Sequence, residues 1–403
     1  MNITIEPGAA ALLDALHRAG FAAYAVGGCV RDSLLGLAPH DWDLCTAARP
    51  ERVMELFGEK QCIPTGLQHG TVTVKRDGRL YEITTFRTEG SYSDGRHPDS
   101  VAFVPDVRED LARRDFTINA MAYSAEEGLC DPFGGQEDLA RGMVRAVGEP
   151  LRRFEEDALR ILRLYRFAAR FGFVIDEATE AAAKQLAAHL DCVSVERIEE
   201  ELNKLLSAPK PGAYLEPEVL AFVLPELPSD YLSEAREIID ALPAGAEEVA
   251  TRWAALLLPL GEDGTRKALK RLKCSNAVID GVSTLVKEKA PRTPALSLQA
   301  KRLLGKYDLH TVQQLAALWS ALQPERKDEF TALQKEAETL TAQNACCRVS
   351  QLAVNGRDLM AAGVAPGPGL RRALEALLEE VITGRLPNEK AELLAFAAKF
   401  SAS

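Results

Sequence analysis

The chain reads as an α+β protein: a sheet-bearing N-terminal part, ending near Arg141, followed by helices alone. Three observations predict this class. Residues 21–26 form an apolar run with the character of a buried strand. Residues 69–76 and 79–86 alternate and flank Asp77-Gly78, a strong hairpin signal. From Pro150 onward strand alternation almost vanishes and apolar residues recur at helical spacing. The sheet is expected to be mixed or antiparallel.

The N-terminal elements surround one stretch, residues 26–43. After the strand, Gly27 and Gly28 permit a sharp turn and close approach of a ligand to the backbone. Residues 30–37 have helical spacing, so the turn delivers a helix N-terminus, whose free N–H groups favour an anion. Asp41-Trp42-Asp43 then leads into Leu44. On a strand, residues two apart share a face, which places the carboxylates of Asp41 and Asp43 together as ligands for a hard cation. Either feature alone is commonplace, a turn or a solvated strand face; their conjunction is specific.

Residues 50–57 read as a short helix opened by proline. In the second hairpin strand, Glu82 either joins the acidic pair or merely positions Arg87. Residues 88–100 are rich in Gly, Ser, Asp and Pro and read as a loop. Residues 113–122 open a helical pattern that Asp115 or Thr117 can cap, with Arg114 placed to meet phosphate.

Residues 152–170 read as one amphipathic helix. Phe154, Ala158, Ile161, Leu162 and Tyr165 lie on one face, and Asp157, Arg160, Arg163 and Arg166 fall away from it. The plain reading of Asp157 and Arg160 is an i,i+3 ion pair on a solvated face. Their chemistry permits more. Ionised aspartate only accepts and arginine only donates. Side by side they match a base edge offering an amino group beside a ring nitrogen, as cytosine and adenine do. Uracil and guanine present the reverse order, and each buried mismatch costs about 1–3 kcal/mol. Such a pair selects C and A without a nucleic-acid template.

Composition bounds the rest. With 403 residues, 47% hydrophobic and 27% charged, the chain has the make-up of a globular protein of several domains. No run approaches the roughly 18 apolar residues of a membrane span, and the start MNITIEPGAA lacks the pattern of a secretory signal. Eight scattered cysteines without a Cys-x-x-Cys, two of them adjacent at Cys346-Cys347, suggest free thiols in a reducing cytoplasm. No membrane and no obligate protein partner is indicated. A net charge of -11 requires any RNA partner to be met by local basic patches such as Arg266-Lys267, Lys270-Arg271 and Lys273, residues that equally suit a solvated helix face.

Gly-Gly, a helix and Asp-x-Asp together resemble the signature of polymerase-β-like nucleotidyltransferases. The fuller run Gly27-Gly28-Cys29-Val30-Arg31-Asp32-Ser33-Leu34-Leu35-Gly36, followed by Asp41-x-Asp43, resembles bacterial tRNA nucleotidyltransferases, the CCA-adding enzymes, and their poly(A) polymerase relatives. Residues 113–122 resemble a further motif of that family. Glu156-Asp157-x-x-Arg160 resembles the base-templating motif of its class II members, and Val195-Glu196-Arg197-Ile198 with Glu201 a following motif that braces the templating helix. Asn355-Gly356-Arg357-Asp358 and Gly384-Arg385-Leu386-Pro387 resemble an RNA-gripping tail.

The resemblance implies a nucleotidyltransferase head at 1–140, a base-reading neck at 141–209, a body at 210–320 and a tRNA-binding tail at 321–403. It implies addition of CCA to tRNA 3′ ends from CTP and ATP, with Asp41 and Asp43 holding two Mg2+ ions and Glu82 as a third acidic residue. Gly28, Arg31, Arg114, Asp157, Arg160, Arg163 and Arg166 are the implied nucleotide-binding residues, and the loop holding Asp94-Gly95-Arg96 is linked to the final A. The alternatives are a poly(A) polymerase, an enzyme adding only CC or only A, and a non-catalytic RNA-binding relative. A phosphohydrolase built on His40-Asp41 lacks a supporting His/Asp cluster.

Overall fold

The computed structural model describes residues 3–90, 100–292 and 295–398. The loop residues 91–99, with Asp94-Gly95-Arg96, lie outside the described residues. The chain forms two compact units, Met1–Leu232 with Arg271–Lys273, and Ser233–Lys270 with Cys274–Ser403.

The first unit opens with α1 (Pro7–Arg18), β1 (Ala23–Val26), α2 (Gly28–Leu34), β2 (Leu44–Thr46) and α3 (Pro50–Phe57). Then come β3 (Cys62–Gly66), β4 (Thr71–Arg76), β5 (Arg79–Thr85), β6 (Arg87–Glu89), β7 (Val101–Phe103) and α4 (Val107–Ala112). Next are β8 (Ala122–Ser124), β9 (Gly128–Cys130), α5 (Gly135–Arg141) and β10 (Met143–Val144). Seven strands form one sheet in the order β3-β4-β5-β2-β1-β8-β9. Only β2 and β5 run parallel, so the sheet is mixed. Tyr24, Val26, Cys45 and Phe86 bury one face together with Leu111 and Ala120. The β4–β5 turn forms at Asp77-Gly78, both at positive φ (49° and 79°), the combination that a two-residue type I′ hairpin demands.

Three expectations are corrected here. Asp41 and Asp43 precede the strand, which begins at Leu44, although Trp42 between them is buried and alternation holds. Residues 113–122 form only a 3₁₀ turn, Thr117–Asn119, before entering β8. The 88–100 segment is anchored by a ribbon, with β6 paired antiparallel to β7.

The remaining elements of this unit are α6 (Pro150–Glu156), α7 (Leu159–Phe171), β11 (Val174–Ile175), α8 (Glu177–Gln185), α9 (Val195–Leu206) and α10 (Pro217–Val223). The single helix expected over 152–170 is broken. Asp157 is extended (φ -150°, ψ 103°) and its carboxylate takes the N–H of Leu159 at 3.1 Å. A side chain competing for a backbone donor interrupts a helix where apolar spacing alone runs on. The short β11, paired with β10, is the one strand after Pro150 among the described residues.

In the second unit all described elements are helical. They run from α11 (Leu232–Ala241, whose first residue belongs to the first unit) through α12 (Val249–Leu257), α13 (Gly261–Arg271, whose last residue belongs to the first unit) and α14 (Asn276–Lys287) to α15 (Leu296–Lys306), α16 (Leu309–Leu322) and α17 (Lys327–Ala342). The final three are α18 (Gly356–Ala361), α19 (Pro368–Ile382) and α20 (Lys390–Ala397), around a core of Leu359, Leu377 and Leu393. All eight cysteines are free thiols. Among the described residues no helix is long and apolar enough to cross a membrane.

Candidate active site

Gly27 joins β1 to α2 with φ 76°, ψ -123°, a conformation that L side chains rarely adopt. Its N–H donates to the carbonyl of Met121 at 3.0 Å. A Cβ added there would stand 2.8 Å from Nη1 of Arg114. The glycine turn and Arg114 are therefore close together, and among the described residues Arg114 pairs loosely with Asp110, Nη2 at 3.5 Å.

The acidic residues meet across the parallel pair. Leu44 pairs with Ile83, so the preceding residues, Asp43 and Glu82, lie side by side. Leu44 and Ile83 are buried while Asp43 and Glu82 are exposed. Desolvation raises the Asp43 pKa first, and the Glu82 and Asp41 carboxylates raise it further against the lowering effect of Arg114. Glu82 thus acts electrostatically on Asp43. Asp41 projects into solvent, 88% exposed, beside His40 at 3.6 Å.

Arg31 does not join this group. It is 3% exposed, and Nε and Nη2 both meet Asp32 Oδ1, at 2.8 and 2.7 Å, while Nη1 donates to Asn119 Oδ1 at 2.5 Å. Its guanidinium lies 5.1 and 4.9 Å from the ring centroids of Phe167 and Phe171. The adjacency of Arg31 and Asp32 was the available sign of this inward turn. Gly28, by contrast, starts α2 directly beside the turn.

Around the α6–α7 break the charged side chains find partners other than the expected Asp157–Arg160 pair. Asp157 and Arg160 do not pair with each other. Asp157 takes a fork from Arg197 on α9, at 3.2 and 2.7 Å. Arg160 donates to Glu156 at 2.8 Å and to the carbonyls of Arg153 and Arg113, both at 3.1 Å. Arg163 grips Asp115 at 2.9 and 2.6 Å, and Arg166 pairs with Glu201 at 2.5 Å. The α9 motif does brace this region, through Arg197 and Glu201.

These bonds leave capacity. A carboxylate has about four acceptor sites and a guanidinium five N–H donors. Asp157 uses three, to Leu159 and Arg197. Arg160 uses three donors. One acceptor and two donors remain, which suffices for one base edge.

Asp115, read from the sequence as a helix cap, and Phe167, which the sequence did not single out, are organising residues. Asp115 also accepts from the N–H of Phe116 and from Asn119 Nδ2, at 2.8 and 3.0 Å. Phe167 carries the guanidinium of Arg166 at 3.9 Å and that of Arg163 at 5.4 Å, besides Arg31. The basic residues 266–273 are largely neutralised: Arg266 meets Asp280, Arg271 meets Glu226 and Lys273 meets Glu196, at 2.7, 2.6 and 2.6 Å.

Comparison with known proteins agrees with this architecture. Residues 23–145 match the poly A polymerase head domain. Residues 172–229 match a probable RNA and SrmB-binding site of polymerase A, and residues 246–397 a putative tRNA nucleotidyltransferase domain 2. The CCA-adding enzyme of Limosilactobacillus fermentum is 39% identical over 396 residues, covering 96% of this chain and 95% of the relative. That of Lactiplantibacillus plantarum is 38% identical over 395 residues, covering 96% and 94%. The crystal structure of the Bacillus stearothermophilus CCA-adding enzyme in complex with CTP superposes with a TM-score of 0.81 at 34% identity, covering 98% of each chain. With a head, a helical remainder and relatives aligned from end to end, the chain belongs to the CCA-adding enzyme family.

Proposed function

We propose that Asp41, Asp43 and Glu82 form the catalytic acidic group of a cytoplasmic CCA tRNA nucleotidyltransferase, with Asp41 and Asp43 as the Mg2+ ligands. The observation that carries this reading is the register placing Asp43 beside Glu82, next to Arg114 and the glycine turn. The donor set fits the metal. The oxygens are hard, and the neighbouring carboxylates that raise the Asp43 pKa are a repulsion that a divalent cation relieves. Among the described residues no three metal-ligating side chains already converge. Magnesium is usually held by one or two carboxylates, with substrate phosphates and water completing its shell. When bound, it supplies activation of the RNA 3′-oxygen and neutralisation of the triphosphate.

The chain's own residues divide the remaining work. Arg114 and the backbone at Gly28 receive the triphosphate. Asp157 and Arg160 read the edge of C or A with their unused acceptor and donors. Arg163 and Arg166 support them through Asp115 and Glu201, and Arg31, turned inward, contributes by locking α2 to Asn119 and α7. The functional division at residues 140, 209 and 320 follows these roles, with tRNA held by the body and tail largely through its phosphates.

The test is replacement of Asp41 or Asp43 by Ala. Incorporation of CMP and AMP into tRNA lacking its 3′ end should fall more than about a hundredfold, because losing a metal ligand removes several kcal/mol of transition-state stabilisation. Binding of tRNA should persist. A variant retaining more than about one per cent of wild-type activity in magnesium contradicts the assignment.

A further inference from the structure

The second unit contains an open cleft of about 580 Å³ between α15, α16, α19 and residues 347–350. Ligand pockets commonly span about 300–1,000 Å³. Leu303, Trp319, Val349, Leu378 and Ile382 give it an apolar interior. Four cations, Lys289, Arg302, Lys306 and Arg348, meet a single lining carboxylate, Glu288. This local excess stands against a chain whose net charge is -11.

Two of the cations are committed, Arg302 to Glu379 at 2.7 Å and Lys306 to Glu288 at 3.4 Å. The exposed Lys289 has no ion pair among the described residues. Arg348 is fixed by carbonyls instead of carboxylates: Nε donates to Leu304 at 2.9 Å and Nη2 to Tyr307 at 2.7 Å. Its plane is held, and among the described residues no carboxylate forms an ion pair with it. Asp308 is the acid that Arg348 influences, from a smaller cavity of about 250 Å³ that also borders Arg348.

We propose that this cavity binds a nucleoside phosphate, with the base in the apolar interior and the phosphate at Lys289 and Arg348. A bare anion would leave the apolar walls unfilled, and an alkyl chain would make no use of a held guanidinium plane. A flat base fills the interior and stacks on such a plane, and a phosphate takes its charge-assisted hydrogen bonds. The nucleotide is either free or an unpaired residue of an RNA. The proposal lies wholly within the second unit and does not depend on which head residues carry catalysis.

Equilibrium dialysis of the full chain with radiolabelled AMP tests it. Wild type should lose one bound equivalent on Ser350→Trp, which plugs the cavity, and the same site should weaken about tenfold or more in Lys289→Glu. Adenosine and inorganic phosphate, offered separately, should each bind more weakly than AMP. A 5′-phosphorylated single-stranded pentanucleotide that displaces AMP at lower concentration identifies an RNA residue as the occupant. If it fails to displace AMP, the occupant is a free nucleotide. Should Ser350→Trp fold poorly, the exposed Lys289→Glu decides alone. AMP binding unchanged in Lys289→Glu, or in a folded Ser350→Trp, overturns the proposal. CMP incorporation by the same preparations reports separately on the head.

Discussion

Burial disfavours an ionised Asp115, yet the charge and hydrogen bonds of Arg163, with the hydrogen bond from Asn119 and the nearby charge of Arg160, hold its carboxyl well below the usual carboxylate range. A carboxyl whose folded pKa is depressed stabilises the protein above its unfolded pKa and loses that contribution as pH falls through the folded value. Asp115→Asn should therefore cost about 3 kcal/mol near neutral pH, since it removes the nearer of the two carboxylates at Arg163 and leaves Glu201 at 4.0 Å. Urea unfolding of the two proteins should show the gap narrowing below the unfolded value of 3.8. A gap independent of pH contradicts the role of the charge. At Phe167 the ring itself is the contribution. Phe167→Leu keeps an apolar side chain but removes the π-face under Arg31, Arg163 and Arg166. At about 0.5–2 kcal/mol per cation–π contact, the KM for CTP should rise several-fold, and Phe167→Tyr should restore it. Equal kinetics for Leu and Tyr would show that only packing matters there.

Among the elements, the α6–α7 break holds the pair proposed to choose the base. Asp157→Asn with Arg160→Glu exchanges donors and acceptors at each end. Competitive single-nucleotide incorporation should show slower addition overall, and a ratio of UTP plus GTP to CTP plus ATP raised by roughly tenfold or more, at about 1.4 kcal/mol per decade. An equal loss for all four nucleotides would reduce the pair to a structural one. The break itself was not legible in the sequence. Phe154, Ala158, Ile161 and Tyr165 keep helical spacing across it, while the Asp157 carboxylate takes the N–H of Leu159 and a fork from Arg197, 40 residues away. Residues 113–122 misled for the same reason: Asp115, Thr117 and Asn119 satisfy partners on α5 and α7 and around α2 instead of capping a helix. The α3 helix and the β4–β5 hairpin were legible because their signals, Pro50 and Asp77-Gly78, are local. Asp41-x-Asp43 was expected on a strand but precedes it, and the neighbourhood of Asp43 and Glu82 comes from a strand pairing that only the fold reveals.

For the whole molecule, the arrangement predicts a nucleotidyltransferase whose product sequence is written in protein side chains. The first unit holds Asp41, Asp43 and Glu82, the glycine turn and the α6–α7 break. The relatives align across both units, so the head works as part of a chain of one common design. The most direct measurement is incubation of the full chain with tRNA lacking its 3′ end, offering each nucleotide alone and then CTP with ATP. CTP alone should add C and stop, UTP and GTP should add almost nothing, and the mixture should finish at CCA. A run of A from ATP alone, or extension of comparable efficiency with UTP or GTP, would contradict the account.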